Sequence, residues 1–193
     1  MQASPIKLVV GLGNPGEKYH ETRHNAGFLF LDELCKQYST SLSSDKNCFS
    51  QSAKFDTEGQ VIRLLAPNTF MNLSGKAVVA AMNFYKIKIE EILVVHDELD
   101  MPSGKAKLKL SGGHGGHNGL RDIIAKTGSK DFARLRIGIG HPGHASAVSG
   151  YVLNKAAKAD HQLMLDSFIA AARVMPKVFA GEFQLAMNEL HTQ

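Results

Sequence analysis

Apolar and polar positions alternate along this chain in blocks that predict strands and helices in turn. Ile6-Lys-Leu-Val-Val-Gly-Leu12 is a short apolar, β-rich run closed by the turn-forming Gly13-Asn-Pro-Gly16, and it predicts a buried strand. Phe28, Leu31, Leu34, Cys35 and Tyr38 then recur at helical spacing, so a helix is expected from near Asn25. Ser39–Asp45 is polar and predicts a connector. Phe49–Phe55 and Val61–Leu65 predict two strands joined by a turn at Glu58-Gly59, a hairpin. After the loop Pro67–Ser74, Ser74 is placed to cap a helix whose apolar face is Val78, Ala81, Met82 and Tyr85.

The second half repeats the alternation. Ile92-Leu-Val-Val-His-Asp97 predicts a buried strand with Asp97 at its carboxyl end, and Lys105–Leu110 alternates lysine with apolar or small residues. The loop Gly112–Asn118 leads into a helix carrying Leu120, Ile123 and Ile124 on one face, and Leu135–Ile139 is a further strand. His141–Ser149 is polar and glycine-containing, and is expected to be mobile. Beyond Ala156 the period is helical, with Pro176 expected to break or restart it. Strands alternating with helices, plus one hairpin, give an α/β fold: a mixed, twisted sheet flanked by helices on both sides.

At 193 residues the chain is the size of one domain, taken here as residues 1–193. A hydrophobic fraction of 44% and a charged fraction of 21% exclude a disordered chain. No apolar run approaches the ~20 residues that span a bilayer, and the first apolar run lacks a cleavage pattern, so a cytoplasmic protein is expected. Cys35 and Cys48 are too few for a disulfide framework and lack metal-site spacing. The net charge of +4 points weakly to an anionic partner.

Gly11-Leu-Gly13-Asn-Pro-Gly16 matches the G-x-G-x-x-G dinucleotide fingerprint after a strand. That motif needs its last glycine to open a helix, whereas Pro15 lies inside this loop and Glu17–His24 is polar and aperiodic. A tight turn accounts for the glycines, and no cofactor is expected. No P-loop and no G-x-S-x-G nucleophile motif is present.

Of nine histidines, the pairs His114/His117 and His141/His144 sit in glycine-bearing loops without the carboxylate or cysteine spacing of a zinc site. His96 and Asp97 are adjacent in a strand and so point to opposite faces, which makes His96 a packed scaffold residue. His24 follows the first strand by one loop and stands at a helix entrance. If the strands 6–12 and 92–97 are parallel neighbours, their carboxyl ends bring His24 and Asp97 to one rim. Asp97 then fixes the imidazole tautomer and leaves the other nitrogen as a base toward water. Spacing alone favours the plainer readings: His24 packing at a helix start, Asp97 as a turn acid, and Asn14, Asn72 and Asn118 as turn formers.

The chain also resembles the bacterial-type peptidyl-tRNA hydrolase family. The matching segments are Val10–Gly16, Tyr19, Thr22-Arg-His-Asn-Ala-Gly27, Pro67-Asn-Thr-Phe-Met-Asn-Leu-Ser-Gly-Lys76, His96–Asp100, Gly112–Leu120 and Arg134–Gly143, in the family's order. Each is weak alone, and together they are specific. The resemblance implies a cytosolic, cofactor-free, monomeric enzyme, with no obligate protein partner, that cleaves the ester between a peptidyl group and the 3′ end of tRNA. It implies His24 as general base supported by Asp97, and Asn14 as the contact that tells blocked from free aminoacyl ends. Asn72 and Asn118 would hold the substrate end and position water, with Tyr19, Phe70 and His117 lining the site and Met71 packed beneath. Gly13 departs from relatives that carry alanine there. By period 2, Lys105, Lys107 and Lys109 share one strand face and Arg134 and Arg136 another, rows that suit phosphate contact. The resemblance places Lys109 and Arg136 at the tRNA 5′-phosphate, with Lys107 among the tRNA-binding residues, and residues 141–149 as a lid.

Overall fold

The computed structural model describes residues 3–192, so the extreme ends of the expected 1–193 domain lie outside the described residues. Strands β1 (Leu8–Gly11), β2 (Ser43–Asp45), β3 (Ser50–Thr57), β4 (Gln60–Pro67), β5 (Ile92–Glu98), β6 (Ala106–Lys109) and β7 (Ala133–Gly138) form one sheet in the order β2-β3-β4-β1-β5-β7-β6. The four strands β4, β1, β5 and β7 run parallel, while β2, β3 and β6 pair antiparallel at the two edges. β1 is buried on both faces between β4 and β5, with Val9 level with Leu64 and Leu93. That is why its sequence is a continuous apolar run rather than an alternating one.

Helices cover both faces. Helices α1 (Ala26–Gln37), α5 (Lys158–Phe179) and α6 (Phe183–His191) pack on the side presented by Val9, Leu93 and Val95. Helices α2 (Ser74–Tyr85) and α3 (Asn118–Thr127) pack on the side presented by Leu8, Val10 and Val94. Chain reversal beside β1 sends α1 and α2 to opposite faces, which opens a crevice at the carboxyl ends of β1, β4 and β5.

The β3–β4 hairpin turns at Glu58 and Gly59, as expected, both with left-handed φ of 50° and 77°. Three local readings are corrected. The expected connector 39–45 contains β2, whose Ser43–Asp45 pairs with Ser50–Ser52; its side chains are polar because an edge strand exposes them. Ser74 does not cap α2: its hydroxyl donates to Met71 O at 2.7 Å, closing the turn Met71–Leu73 that runs into the helix. The free Gly75 N–H is taken instead by the Asp122 carboxylate of α3 at 2.8 Å. Helix α5 continues through Pro176. The Ala172 carbonyl that proline cannot bond accepts Gln37 Nε2 at 3.3 Å, so α1 supplies the missing donor. The polar segment 141–149 holds a turn at Ala145–Ala147 and runs into α4 (Val148–Val152).

Candidate active site

The loop after β1 is fixed by a pair of asparagines. Asn14 N–H donates to Asn25 Oδ1 at 2.8 Å, and Asn25 Nδ2 returns a bond to Asn14 O at 2.9 Å. Asn25 thereby ties the strand loop to the start of α1 instead of capping the helix. Asn14 Oδ1 in turn accepts Met71 N–H at 2.7 Å, so the amide is oriented and its Nδ2 donor is the end left for a ligand. Gly27 completes the approach: a Cβ there would stand 2.3 Å from Leu12 N and 2.5 Å from Val95 O. Only glycine lets α1 come this close to β1 and β5. The fingerprint glycines have the same kind of cause, since a Cβ on Gly11 would meet Gly27 O at 2.4 Å. Gly16 leads only into the short turn Glu17–Tyr19, so the last fingerprint glycine does not open a helix.

His24 precedes that helix, and Asp97 ends β5 beside β1, the parallel pairing on which their meeting depended. His24 Nδ1 lies 2.9 Å and 3.0 Å from the two Asp97 carboxylate oxygens. A second imidazole shares the carboxylate: His117 Nε2 is 2.7 Å from Asp97 Oδ1. His117 is also the N-cap of α3, its Nδ1 accepting Gly119 and Leu120 N–H at 3.1 and 3.3 Å. An Nδ1 that accepts must lack a proton, so Nε2 carries one and donates to Asp97. The same argument makes His24 Nδ1 a donor and leaves its Nε2 lone pair free.

Electrostatics follow from this wiring. Burial of Asp97, 4% exposed, opposes its charge, yet electrostatic attraction to and hydrogen bonds from His24 and His117 outweigh that and hold the carboxyl far below the usual range. Burial likewise opposes protonation of His24, but the Asp97 charge and hydrogen bond prevail, and its pKa is raised. His96 is pushed down to about 3, by burial first and His117 second, and stays neutral with Nδ1 donating to Asp97 O at 2.8 Å. It is the packed scaffold residue that strand alternation predicts, and it stands edge-on to His117 at 5.1 Å between ring centres.

His24, Asp97 and His117 are the one His/Cys/Asp/Glu group among the described residues close enough to hold a metal ion. The carboxylate–imidazole separations are hydrogen-bond lengths, and both His117 nitrogens are engaged, so this donor set fits a hydrogen-bonded trio.

A cavity of about 820 Å³ spreads from this trio. Asn14, Phe70, Met71, Asn72, His117 and Asn118 line it, and Lys109 and Arg136 form part of its wall. Met71 is buried beneath, whereas Phe70 is 56% exposed. Arg121 donates to Asn118 Oδ1 at 3.2 Å, which leaves the Asn118 amide donor for a ligand. Tyr19 is outside the cavity wall and stands edge-on to Phe70, 6.4 Å between ring centres. Lys107 lies on the same strand but outside the wall.

The two cationic rows are neighbours, since Lys107 is level with Arg136 and Lys109 with Arg134. Arg134 corrects the expectation for its row. It is buried, and its guanidinium holds the carbonyls of Gly112, Gly113 and Lys130, so it braces the glycine loop that carries His117. Arg136 pairs with Glu98 at 3.0 Å and keeps part of its surface open. Sequence reasoning missed Asn25, Glu98 and the His117–Asp97 bond. Only the N-cap role of His117 had a local position to suggest it, directly before a helix; its bond to Asp97 had none.

An imidazole oriented by a buried carboxylate, amide donors around it and cations along one wall are parts that fit a hydrolase built on an α/β fold. A family model described as Peptidyl-tRNA hydrolase matches residues 8–193. Peptidyl-tRNA hydrolases of Pseudomonas entomophila and Pseudomonas putida are each 56% identical over 189 residues, covering 97% of both chains. The crystal structure of peptidyl-tRNA hydrolase from Acinetobacter baumannii superposes with a TM-score of 0.94 at 47% identity, covering 98% of this chain and 96% of that one. The chain belongs to the peptidyl-tRNA hydrolase family.

Proposed function

We propose that this protein hydrolyses the ester joining a peptidyl, or N-blocked aminoacyl, group to the 3′ end of tRNA. It would act as a single catalytic domain over residues 1–193, a monomer in the cytoplasm that draws on no cofactor and no obligate protein partner. No helix among the described residues is long and apolar enough to cross a membrane. The observation that carries the mechanism is the Asp97–His24 hydrogen bond, which leaves His24 Nε2 as the open base.

His24 Nε2 takes a proton from water as the oxygen attacks the ester carbonyl. The imidazolium formed is stabilised by Asp97, whose charge is anchored on its other side by His117. Amide donors of Asn14, Asn72 and Asn118 bind the peptide carbonyls and stabilise the oxyanion without adding charge. Collapse of that intermediate breaks the bond to the tRNA 3′ oxygen, which receives the proton from His24. Asn14 reads the blocked end through Nδ2, Tyr19 and Phe70 flank the entrance, and Lys107, Lys109 and Arg136 meet the phosphates of the acceptor end.

The test is cleavage of N-acetyl-aminoacyl-tRNA by the purified protein, with free aminoacyl-tRNA largely spared. His24→Ala is expected to lose about 10²–10⁴-fold in turnover while tRNA binding is kept. Binding without turnover by the intact protein would reduce it to an RNA-binding module.

A further inference from the structure

A second cavity, of about 490 Å³, opens on the opposite half of the sheet, where α2 ends and the rows of β2, β3 and β4 lie uncovered. Its floor contains an unusual pairing. Lys54 of β3 and Arg63 of β4 are directly opposed, level with Leu8 of β1, and so project from the same face. Like charges facing each other across strands work against the sheet. One row along, Ser43 and Ser52 are likewise opposed; Ser43 adds a hydroxyl to the same cavity, while the Ser52 hydroxyl is engaged with Ser50 Oγ at 2.9 Å.

Elsewhere this chain offsets such pairs. Arg136, level with Lys107, meets Glu98, and Arg134, level with Lys109, holds backbone carbonyls. Here nothing does so: among the described residues no carboxylate pairs with Lys54 or Arg63. The acid that lines this cavity, Asp45, is already engaged. Its Oδ1 accepts Asn47 and Cys48 N–H at 3.1 and 3.2 Å, and its Oδ2 accepts Tyr85 OH at 2.9 Å. Arg63 is meanwhile held flat, its guanidinium 3.9 Å from the centre of the Tyr85 ring. Stacking fixes the plane of the fork and leaves its edge donors for a planar or tetrahedral anion.

We propose that this cavity is a binding site for a small phosphate monoester, its phosphate held by Arg63 and Lys54 with the Ser43 hydroxyl as a neutral donor. A terminal phosphate carries up to two negative charges and three oxygen acceptors, which suits two unneutralised cations flanked by a hydroxyl better than a single carboxylate. The volume is that of a small-molecule site. The site is separate from the proposed tRNA contacts, which lie at the other edge of the sheet beyond β1 and β5.

The experiment is a titration at constant ionic strength, followed by backbone amide NMR, with adenosine 5′-monophosphate, inorganic phosphate and uncharged tRNA as probes. The nucleotide is expected to produce saturating shifts over residues 43–54 and at Arg63, leaving Asn118 and Lys109 unmoved, and inorganic phosphate is expected to compete. Lys54→Gln and Arg63→Gln should each weaken binding at least about tenfold, the loss expected for one charged hydrogen bond. Lys54 is exposed, so Lys54→Gln folds; in chloride buffer its melting temperature should equal or exceed that of the wild type, because the opposed charge is gone. Its hydrolytic rate should be unchanged, which keeps this result independent of the proposed function. Shifts that do not saturate, or that Lys54→Gln leaves intact, overturn the site. Saturation by tRNA alone would assign it to the RNA backbone, and failure of phosphate to compete would refute phosphate recognition.

Discussion

Replacing Asp97 by asparagine changes two atoms' chemistry and almost no volume, and its effect can be worked from the contacts. The carboxylate accepts from His24 Nδ1 at 2.9 Å and from His117 Nε2 at 2.7 Å. An amide offers only one acceptor oxygen. His117 has first claim on it, because the N-cap bonds to Gly119 and Leu120 fix its proton at Nε2. The NH₂ group then faces His24 and requires a lone pair at Nδ1, which moves the imidazole proton to Nε2. The base is lost by inversion of its tautomer. Loss of a charged hydrogen bond alone contributes about 1.5–3 kcal/mol, and the tautomer inversion raises the expected fall in kcat toward ten-thousandfold, as for the orienting aspartate of serine proteases, about 10⁴. KM should move by no more than a few-fold. The pH profile adds a directional test. With Asp97 present the His24 pKa is raised above the ordinary imidazole value, so the rate climbs through a limb displaced to higher pH. In Asp97→Asn burial acts without its opponent, and the residual activity should climb at lower pH than in the wild type. Single-turnover hydrolysis of N-acetyl-aminoacyl-tRNA from pH 5 to 9, about the span over which an imidazole titrates, measures both quantities. A variant within about threefold of wild-type kcat, or with its limb moved upward, would refute the tautomer argument.

Three further outcomes are expected. Asn14→Asp keeps the acceptor for Met71 N–H but removes the Nδ2 donor; unfolding in urea should change by less than about 1 kcal/mol while kcat/KM on blocked substrates falls at least about tenfold. Gln37→Ala leaves the Ala172 carbonyl without its donor and should cost about 1 kcal/mol in urea unfolding. In a Pro176→Ala background, where the helix supplies its own N–H, the same change should cost far less, and equal costs in both would refute the substitution of donor. Lys109→Gln should weaken tRNA binding uniformly and reduce the slope of log K against log salt by about 0.7–0.9, measured by filter binding, and an unaltered slope would remove Lys109 from the phosphate interface.

How much the chain announces about itself depends on whether a feature is local. The apolar run at Leu8–Gly11, the Glu58-Gly59 turn and the helix from Ala26 are written in neighbouring residues, and each stands where its pattern predicts. Ser74 and Pro176 mislead because the partners that decide them, Met71 O and Gln37, lie outside the helix pattern each was judged in. The meeting of His24 with Asp97 required a strand adjacency that spacing cannot supply, and the register of β1 against β5 supplies it. His117 was read from its glycine loop as half of an unlikely metal pair and, by resemblance, as a substrate contact. Its bond to Asp97 spans the sheet edge and has no period to reveal it. Arg134 illustrates the reverse case: its face was legible from alternation, but the carbonyls that bury it belong to a loop twenty residues away.

The N-cap on α3 has a consequence for proton bookkeeping in the trio. The Gly119 and Leu120 amides already occupy the Nδ1 lone pair of His117, and Asp97 is held too acidic to take a proton. His96 is kept neutral by burial. Of the two imidazoles bound to Asp97, His24 alone keeps an open lone pair, because the helix that begins at Asn118 occupies the second nitrogen of His117.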